Sequence, residues 1–270
     1  MNKRTLSAIA LLTMMTGAKA KVKLPHLLGD GMILQQQTDA RLWGWDTPGK
    51  SIQVSVSWSS MNYTAKTGKD GKWSLTVKTP PASYTPLSIT FNDGETTTLH
   101  DVLSGEVWVC AGQSNMEITL KGFDNCPVEG YNQAVVEASE NKGIHYVKIP
   151  SVMSMKPLED ANCSWAIISP NTVADCSAVG YFFAKVLNKT LKEPVGLIMA
   201  NKGGTRVESW LDAANLKKYT SESLDSMTNV RKYSKNDYLR PLVWGNGTFS
   251  PILNYTVKGI LFYQGCSNVG

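Results

Sequence analysis

Histidine is scarce: the chain has three in 270 residues, each isolated, and no two of its five cysteines form a C-x-x-C pair. No zinc-ligand spacing results, so neither a metal nor any other cofactor is expected. Long apolar runs are missing too. The run from Leu6 to Met15 is too short to span a bilayer and no later segment is long enough, so no membrane span is expected. Nor is there an excess of charge of one sign. The formal net charge is +5, but Lys3, Arg4 and Lys19 lie in the first twenty residues, and the remainder carries +2. That balance is no footprint for nucleic acid. Internal repeats and low-complexity tracts are absent, which excludes a repeat architecture.

What is present begins with the layout of a secretory signal over residues 1–20. Asn2-Lys3-Arg4 is basic, Leu6 to Met15 is mostly apolar, and Ala18-Lys19-Ala20 is a small-x-small cleavage site. The mature protein is therefore expected to begin near Lys21 and to be exported, to a periplasm or the extracellular space. Residues 21–270 suffice for one large domain or two smaller ones. An odd number of cysteines leaves at least one thiol unpaired. Cys110 sits in an apolar run and reads as a small buried hydrophobe. Cys126 and Cys163, in loop-like surroundings, are the first pair to expect if a disulfide forms.

From Lys21 to about Ser104 the period is two. Ile52, Val54, Val56 and Trp58 alternate with polar residues, as do Trp73, Leu75 and Val77, and then Leu87, Ile89 and Phe91. Lys69-Asp70-Gly71 is a strong hairpin signal, and Asn92-Asp93-Gly94 closes the third run. Short alternating strands between Gly, Pro and Asp turns predict a small β-sandwich over 21–104. Trp43, Trp45, Trp58 and Trp73 are candidates for stacking on sugars, although packing in the sandwich core is their plainer role.

Over 105–270 the pattern changes. Glu106 to Ala111 reads as a strand buried on both faces. A short helix is expected around 128–140 and a strand over 144–149. Asp175 is expected to cap a helix whose apolar face carries Ala178, Tyr181, Phe182, Ala184, Val186, Leu187 and Leu191, with Pro194 as its stop. Val195 to Ala200 is another buried strand, and Thr205-x-x-Glu208 announces a further helix. A polar stretch from about Tyr219 to Arg240 reads as a helix and a long loop over the site, before a last strand at Gly259–Tyr263. Strands alternating with helices give the order of a doubly wound parallel sheet, so the expected fold class is α/β.

Three core strands end in Gly plus polar residues, at 112–115, 202–205 and 264–268. Carboxyl ends of parallel strands share one edge, so these loops can line one crevice. Acyl transfer needs a hydroxyl nucleophile and donors aimed at the developing oxyanion. Ser114 offers the hydroxyl and its own N–H, Gly203 or Gly204 an unobstructed N–H, and Gln264 or Asn268 a side-chain amide. The plainer alternative is that these are glycine turns and helix caps. Ser114 with Glu117 three residues on also forms a capping box.

Gly112-Gln113-Ser114-Asn115-Met116, Gly203-Gly204-Thr205 and Tyr263-Gln264-Gly265-x-Ser267-Asn268 resemble the three blocks of SGNH-type carbohydrate esterases, and in particular the sialate O-acetylesterase family. Leu28-x-Asp30-Gly31-Met32-Ile33-Leu34-Gln35 and Trp43-Gly44-Trp45 are similar to that family's amino-terminal β-domain. The resemblance implies hydrolysis of O-acetyl groups from sialic acids or other sugars without a metal, the partner being an acetylated sugar or glycan. It implies Ser114 as nucleophile, with Ser114, Gly203, Gly204 and Gln264 or Asn268 at the oxyanion hole.

Two departures qualify the match. Cys266 stands where the family usually carries Glu, and a thiol cannot replace a carboxylate's charge. The family takes its catalytic His, preceded by Asp at three residues, from the carboxyl-terminal part of the domain. Here the third block is followed at once by Gly270, and the histidines are preceded at that spacing by Lys23, Thr97 and Lys142. The likeness is therefore to an amino-terminal portion, with the doubly wound sheet incomplete at its carboxyl end. The chain alone is expected to be inactive or nearly so. Arg206, a cation in the first turn of the expected helix, opposes the helix dipole; it is either kept for a sialate carboxylate or simply solvated. Two alternatives remain: a non-catalytic glycan-binding protein with a degenerate hydrolase domain, and an esterase of another specificity such as acetyl-xylan.

Overall fold

The computed structural model describes residues 21–141, 143–221, 223–225, 231–232 and 235–269. The expected signal over 1–20 lies outside them. Six strands come first: β1 (Ile33–Gln35), β2 (Asp39–Trp45), β3 (Ser51–Val56), β4 (Ser59–Lys66), β5 (Lys72–Lys78) and β6 (Ser83–Asn92). The period of two becomes burial directly. In β3, Ile52, Val54 and Val56 are buried while Ser51, Gln53 and Ser55 are exposed. β2 and β5 form a separate antiparallel ribbon, and β4, β3 and β6 lie side by side in the larger sheet. Leu42 and Val77 of the ribbon share one core with Val54, Ile89 and Phe91 of the larger sheet.

The Asn92-Asp93-Gly94 turn joins antiparallel neighbours, β6 and the following β7 (Thr96–Gly112). The Lys69-Asp70-Gly71 turn closes no hairpin, because β4 pairs with β3 and β5 with β2. Alternation fixes which face of a strand is buried and not which strand it pairs with, so the turn carries the chain from one sheet to the other.

β7 then changes partners without a break. Its first half pairs antiparallel with β6 and parallel with β1, and its second half lies between two parallel strands. These belong to the set β8 (Ile144–Lys148), β9 (Trp165–Ile167), β10 (Val195–Asn201) and β11 (Gly259–Tyr263). Their order is β9-β8-β10-β7-β11, parallel except for β9. Every residue of β10 is buried, as its continuous apolar run requires. Val107, Val109 and Ala111 of β7 face the core shared with the ribbon, while Cys110 faces a second core under the helical layer. The fold is α/β.

The α-helices bounded within the described residues are α1 (Ser114–Glu117), α2 (Tyr131–Glu137), α3 (Ala178–Leu191) and α4 (Ala213–Leu216). α3 is capped by Ser177, whose Oγ accepts the Gly180 N–H at 3.3 Å. Asp175 instead ends a short 3-10 turn and pairs with Lys121. Ala178, Tyr181 and Ala184 are buried on the sheet, but Val186, 66% exposed, lies on the solvent side of α3. All five cysteines are free thiols, so the Cys126–Cys163 pair, the first to expect if a disulfide forms, is not made in this structure. Cys126 is exposed in a turn bridged to Phe123, whereas Cys163 packs beside the core that holds Leu27 and Leu28. Among the described residues no helix is long and apolar enough to cross a membrane.

Candidate active site

Register brings the three strand ends together. Asn201 of β10 and Tyr263 of β11 both pair with Gly112, so all three strands stop at one level. The loops are stitched where they leave: Lys202 N–H donates to the Gly112 carbonyl and Gln113 N–H to that of Tyr263, each at 2.9 Å. Gly112 has φ +132°, and an added Cβ would run into the Tyr263 carbonyl. Only glycine fits there.

Ser114 is the first residue of α1, and Gln113 takes the N-cap position without a side-chain cap. The capping box therefore does not form. Glu117 turns to the next loop, where Oε2 accepts the Gly203 N–H at 2.6 Å and Oε1 lies 3.4 Å from Lys202 Nζ. Gly203 backs directly onto the serine: a Cβ at 203 would stand 3.0 Å from Ser114 Cβ. Gly204 follows at φ +74°, with the Tyr238 hydroxyl 3.1 Å from where its Cβ would be. Tyr238 belongs to the polar stretch expected over the site, part of which lies outside the described residues. The partly buried Ser114 has no hydrogen-bond partner for its hydroxyl or its N–H among the described residues.

The third loop is tied in by a residue to which the sequence assigned no role. Gln113 is 3% exposed; its Oε1 accepts the Gly265 N–H at 3.0 Å and its Nε2 reaches Ser267 Oγ at 3.4 Å. Its place between an apolar strand and Ser114 was the available signal, since a buried amide must find partners. The two amides expected at the oxyanion are turned elsewhere. Gln264 Nε2 donates to the Thr205 carbonyl at 2.7 Å. Asn268 accepts the Val207 N–H at 3.0 Å and donates to Glu208 Oε2 at 2.9 Å.

The second capping box is also absent. Thr205 Oγ1 donates to the Lys202 carbonyl and accepts from Trp210 Nε1, both at 2.8 Å. A 3-10 turn over Val207–Ser209 stands where a helix was expected. Arg206 is extended, at φ −96° and ψ 157°, so no helix dipole acts against it. Exposed, it lines a cavity of about 650 Å³ with Glu208, Tyr219, Leu239 and Asn268.

None of the three histidines is bonded to Ser114. His145 is buried on β8 opposite Gly196, near the amino end of β10, and its Nδ1 lies 2.6 Å from the Gly31 carbonyl. His26 pairs with Asp160 at 2.8 Å, and the His100 N–H donates to Asp30. Burial pushes the Cys110 thiol up to about 12 and raises Cys176 well above its usual value, so neither is a ready thiolate. Cys266 is exposed, with Asn115 Nδ2 3.9 Å from its sulfur.

Residues 104–270 match the family model described as carbohydrate esterase, sialic acid-specific acetylesterase. The chain is 28% identical over 265 residues to the sialate O-acetylesterase of Homo sapiens, covering 90% of this chain and 48% of that protein. To that of Rattus norvegicus it is 26% identical over 298 residues, covering 93% and 53%. Its structure is similar to that of a carbohydrate acetylesterase from Xanthomonas citri, with a TM-score of 0.79, 30% identity, and coverage of 92% of this chain and 52% of that one. The chain spans about half the length of the relatives it matches.

Proposed function

The chain belongs to the family of sialic acid-specific acetylesterases among the carbohydrate esterases, and from that membership we propose that it carries the nucleophile of an enzyme removing O-acetyl groups from sialic acids or related sugars. The carrying observation is the level ending of β10, β7 and β11, which sets Ser114 against Gly203 with an unengaged hydroxyl. In the proposed reaction Ser114 Oγ attacks the acetyl carbonyl carbon while a base takes its proton. The tetrahedral oxyanion collapses, the bond to the sugar oxygen breaks, and that oxygen leaves with the proton. Water then cleaves the acetyl-serine to acetate.

For the oxyanion we assign the N–H groups of Ser114 and Gly204, neither of which has a partner among the described residues. Gly203, Gln264 and Asn268 are then supports. Their donors are engaged by Glu117, Thr205 and Glu208, and they hold the three loops in register. Arg206, beside the cavity next to Asn268, is proposed to meet the carboxylate of a sialate. With none of its three histidines at Ser114, this polypeptide by itself is expected to turn over slowly at best.

The test uses the longest form of the protein that can be made, on p-nitrophenyl acetate and on O-acetylated sialic acid. Ser114→Ala should abolish turnover of both, and Arg206→Ala should raise KM on the sialate alone. Equal turnover by wild type and Ser114→Ala would remove Ser114 from the chemistry. The unpartnered Ser114 hydroxyl also favours a second reading, a glycan-binding protein without turnover. Saturable sugar binding with no acetate release would establish it.

A further inference from the structure

Of the three tryptophans in the ribbon of β2 and β5, Trp43 and Trp45 lie on its outer side, while Trp73 is buried in the core on the inner one. The inner face, with Ala40, Leu42 and Val77, is almost wholly buried in the core. The other face should be polar, yet Arg41, Trp43 and Trp45 alternate along it, opposite Thr76, Ser74 and Lys72 of β5. Two loops, 157–159 and 250–254, stand over this face without filling it. They leave a cleft of about 620 Å³ whose lining includes Trp43 and Trp45, Arg41, Lys66, Asp70 and Glu159. Trp43 is largely buried, at 6% exposure, and meets Tyr255 ring edge to ring face at 6.4 Å, whereas Trp45 is partly exposed with Lys23 Nζ 5.3 Å from its ring centre.

We propose that this cleft is a second sugar site, separate from Ser114, which takes one or two pyranose rings of a neutral glycan. The volume lies within the range of small-ligand sites. The chemistry favours a polyol over an ion. The lining carries both signs of charge: Lys72 pairs with Glu159, Arg41 Nη1 donates to Asn254 Oδ1 at 3.0 Å, and Asp70 is exposed at the rim. Such a set offers donors and acceptors together, which sugar hydroxyls need, since each both gives and takes a hydrogen bond. The apolar C–H face of a pyranose matches an indole, and the cleft supplies the partly exposed Trp45 on one wall with Leu158 and Leu253 on the opposite loops. The site rests on none of the Ser114 loops, so it stands whether or not the esterase reading does.

The test is calorimetric and fluorescence titration of the chain with cellotetraose, maltotetraose and chitotetraose. At least one should bind with a Kd below about 10 mM and change tryptophan emission. Trp45→Ala should weaken it at least about tenfold. Glu159→Gln, an exposed wall residue whose change does not threaten folding, should weaken it a few-fold, and Ser114→Ala should leave it unchanged. Absence of binding by all three oligosaccharides, or equal affinity in wild type and both cleft variants, would overturn the proposal. Loss of binding in Ser114→Ala would place the sugar in the esterase crevice instead and refute it.

Discussion

Glu117 Oε2 accepts the backbone N–H of Gly203 at 2.6 Å, so a carboxylate on the helix that begins with Ser114 holds the neighbouring loop against that serine. A hydrogen bond to a charged acceptor that is mostly withdrawn from water contributes about 1.5–3 kcal/mol. Glu117→Ala is expected to lower stability by about 2 kcal/mol, and Glu117→Gln by less, since an amide oxygen still accepts. Urea unfolding midpoints of the two variants check this. Equal loss in both would mean that charge, through Lys202, and not the Gly203 bond, is what matters.

Gly203→Ala tests the other side of the contact. The new methyl group would stand 2.7 Å from Glu117 Oε2 and 3.0 Å from Ser114 Cβ, so one of them must move. Overpacking of this kind costs about 1–3 kcal/mol. In a form with measurable turnover, kcat is expected to fall on the order of 100-fold through displacement of Ser114. Unchanged kcat would show that Ser114 tolerates the shift.

Thiol titration distinguishes the five cysteines. Exposed Cys126 and Cys266 should react with a disulfide reagent promptly, partly buried Cys163 more slowly, and Cys110 and Cys176 only on unfolding. Fewer than five thiols in denaturant without reductant would reveal a disulfide that the structure does not contain.

The pH dependence of stability should carry a signature from Asp93. Its carboxylate is 2.9 Å from Lys50 Nζ and accepts the Glu95 N–H at 3.0 Å. Burial alone would raise its pKa, but the Lys50 ammonium and the backbone N–H outweigh burial and hold it below the usual value. A pKa lower in the folded than in the unfolded chain stabilises the fold above the unfolded value of about 4, and this contribution is lost as pH falls through the folded value. Asp93→Asn should therefore destabilise at about pH 7, with the difference from wild type closing as pH falls below the unfolded value and through the lowered folded one. A difference that persists in acid would assign the cost to packing.

Much of this was legible in the residues. Continuous apolar runs located β7 and β10, because a strand buried on both faces leaves little choice of side chain. β11 was read from the same kind of run, yet Ile260, Phe262 and Tyr263 are about half exposed, so it is no core strand. The Gly-polar endings of the three strands located the crevice. The partners of polar side chains were not legible. Ser114-x-x-Glu117 and Thr205-x-x-Glu208 both have capping-box spacing, and in both the glutamate bonds across to another loop instead. Asp175 looked like the cap of α3, which belongs to Ser177 two residues later. Local spacing describes what a side chain can do nearby, while a crowded crevice offers stronger donors from distant segments.

One feature of β7 bears on how the protein can be divided. A sequence boundary at 104–105 falls in the middle of a seventeen-residue strand, whose first half belongs to the β layers and whose second half ends at Gly112, two residues before the serine. There is no linker to cut and no hinge to flex at that point. A polypeptide started at 105 would lose the β1 and β6 pairings of the same strand that presents Ser114. The β layers act as the fixed mounting of the reactive loop, and they should be inherited, expressed and unfolded with it as one piece.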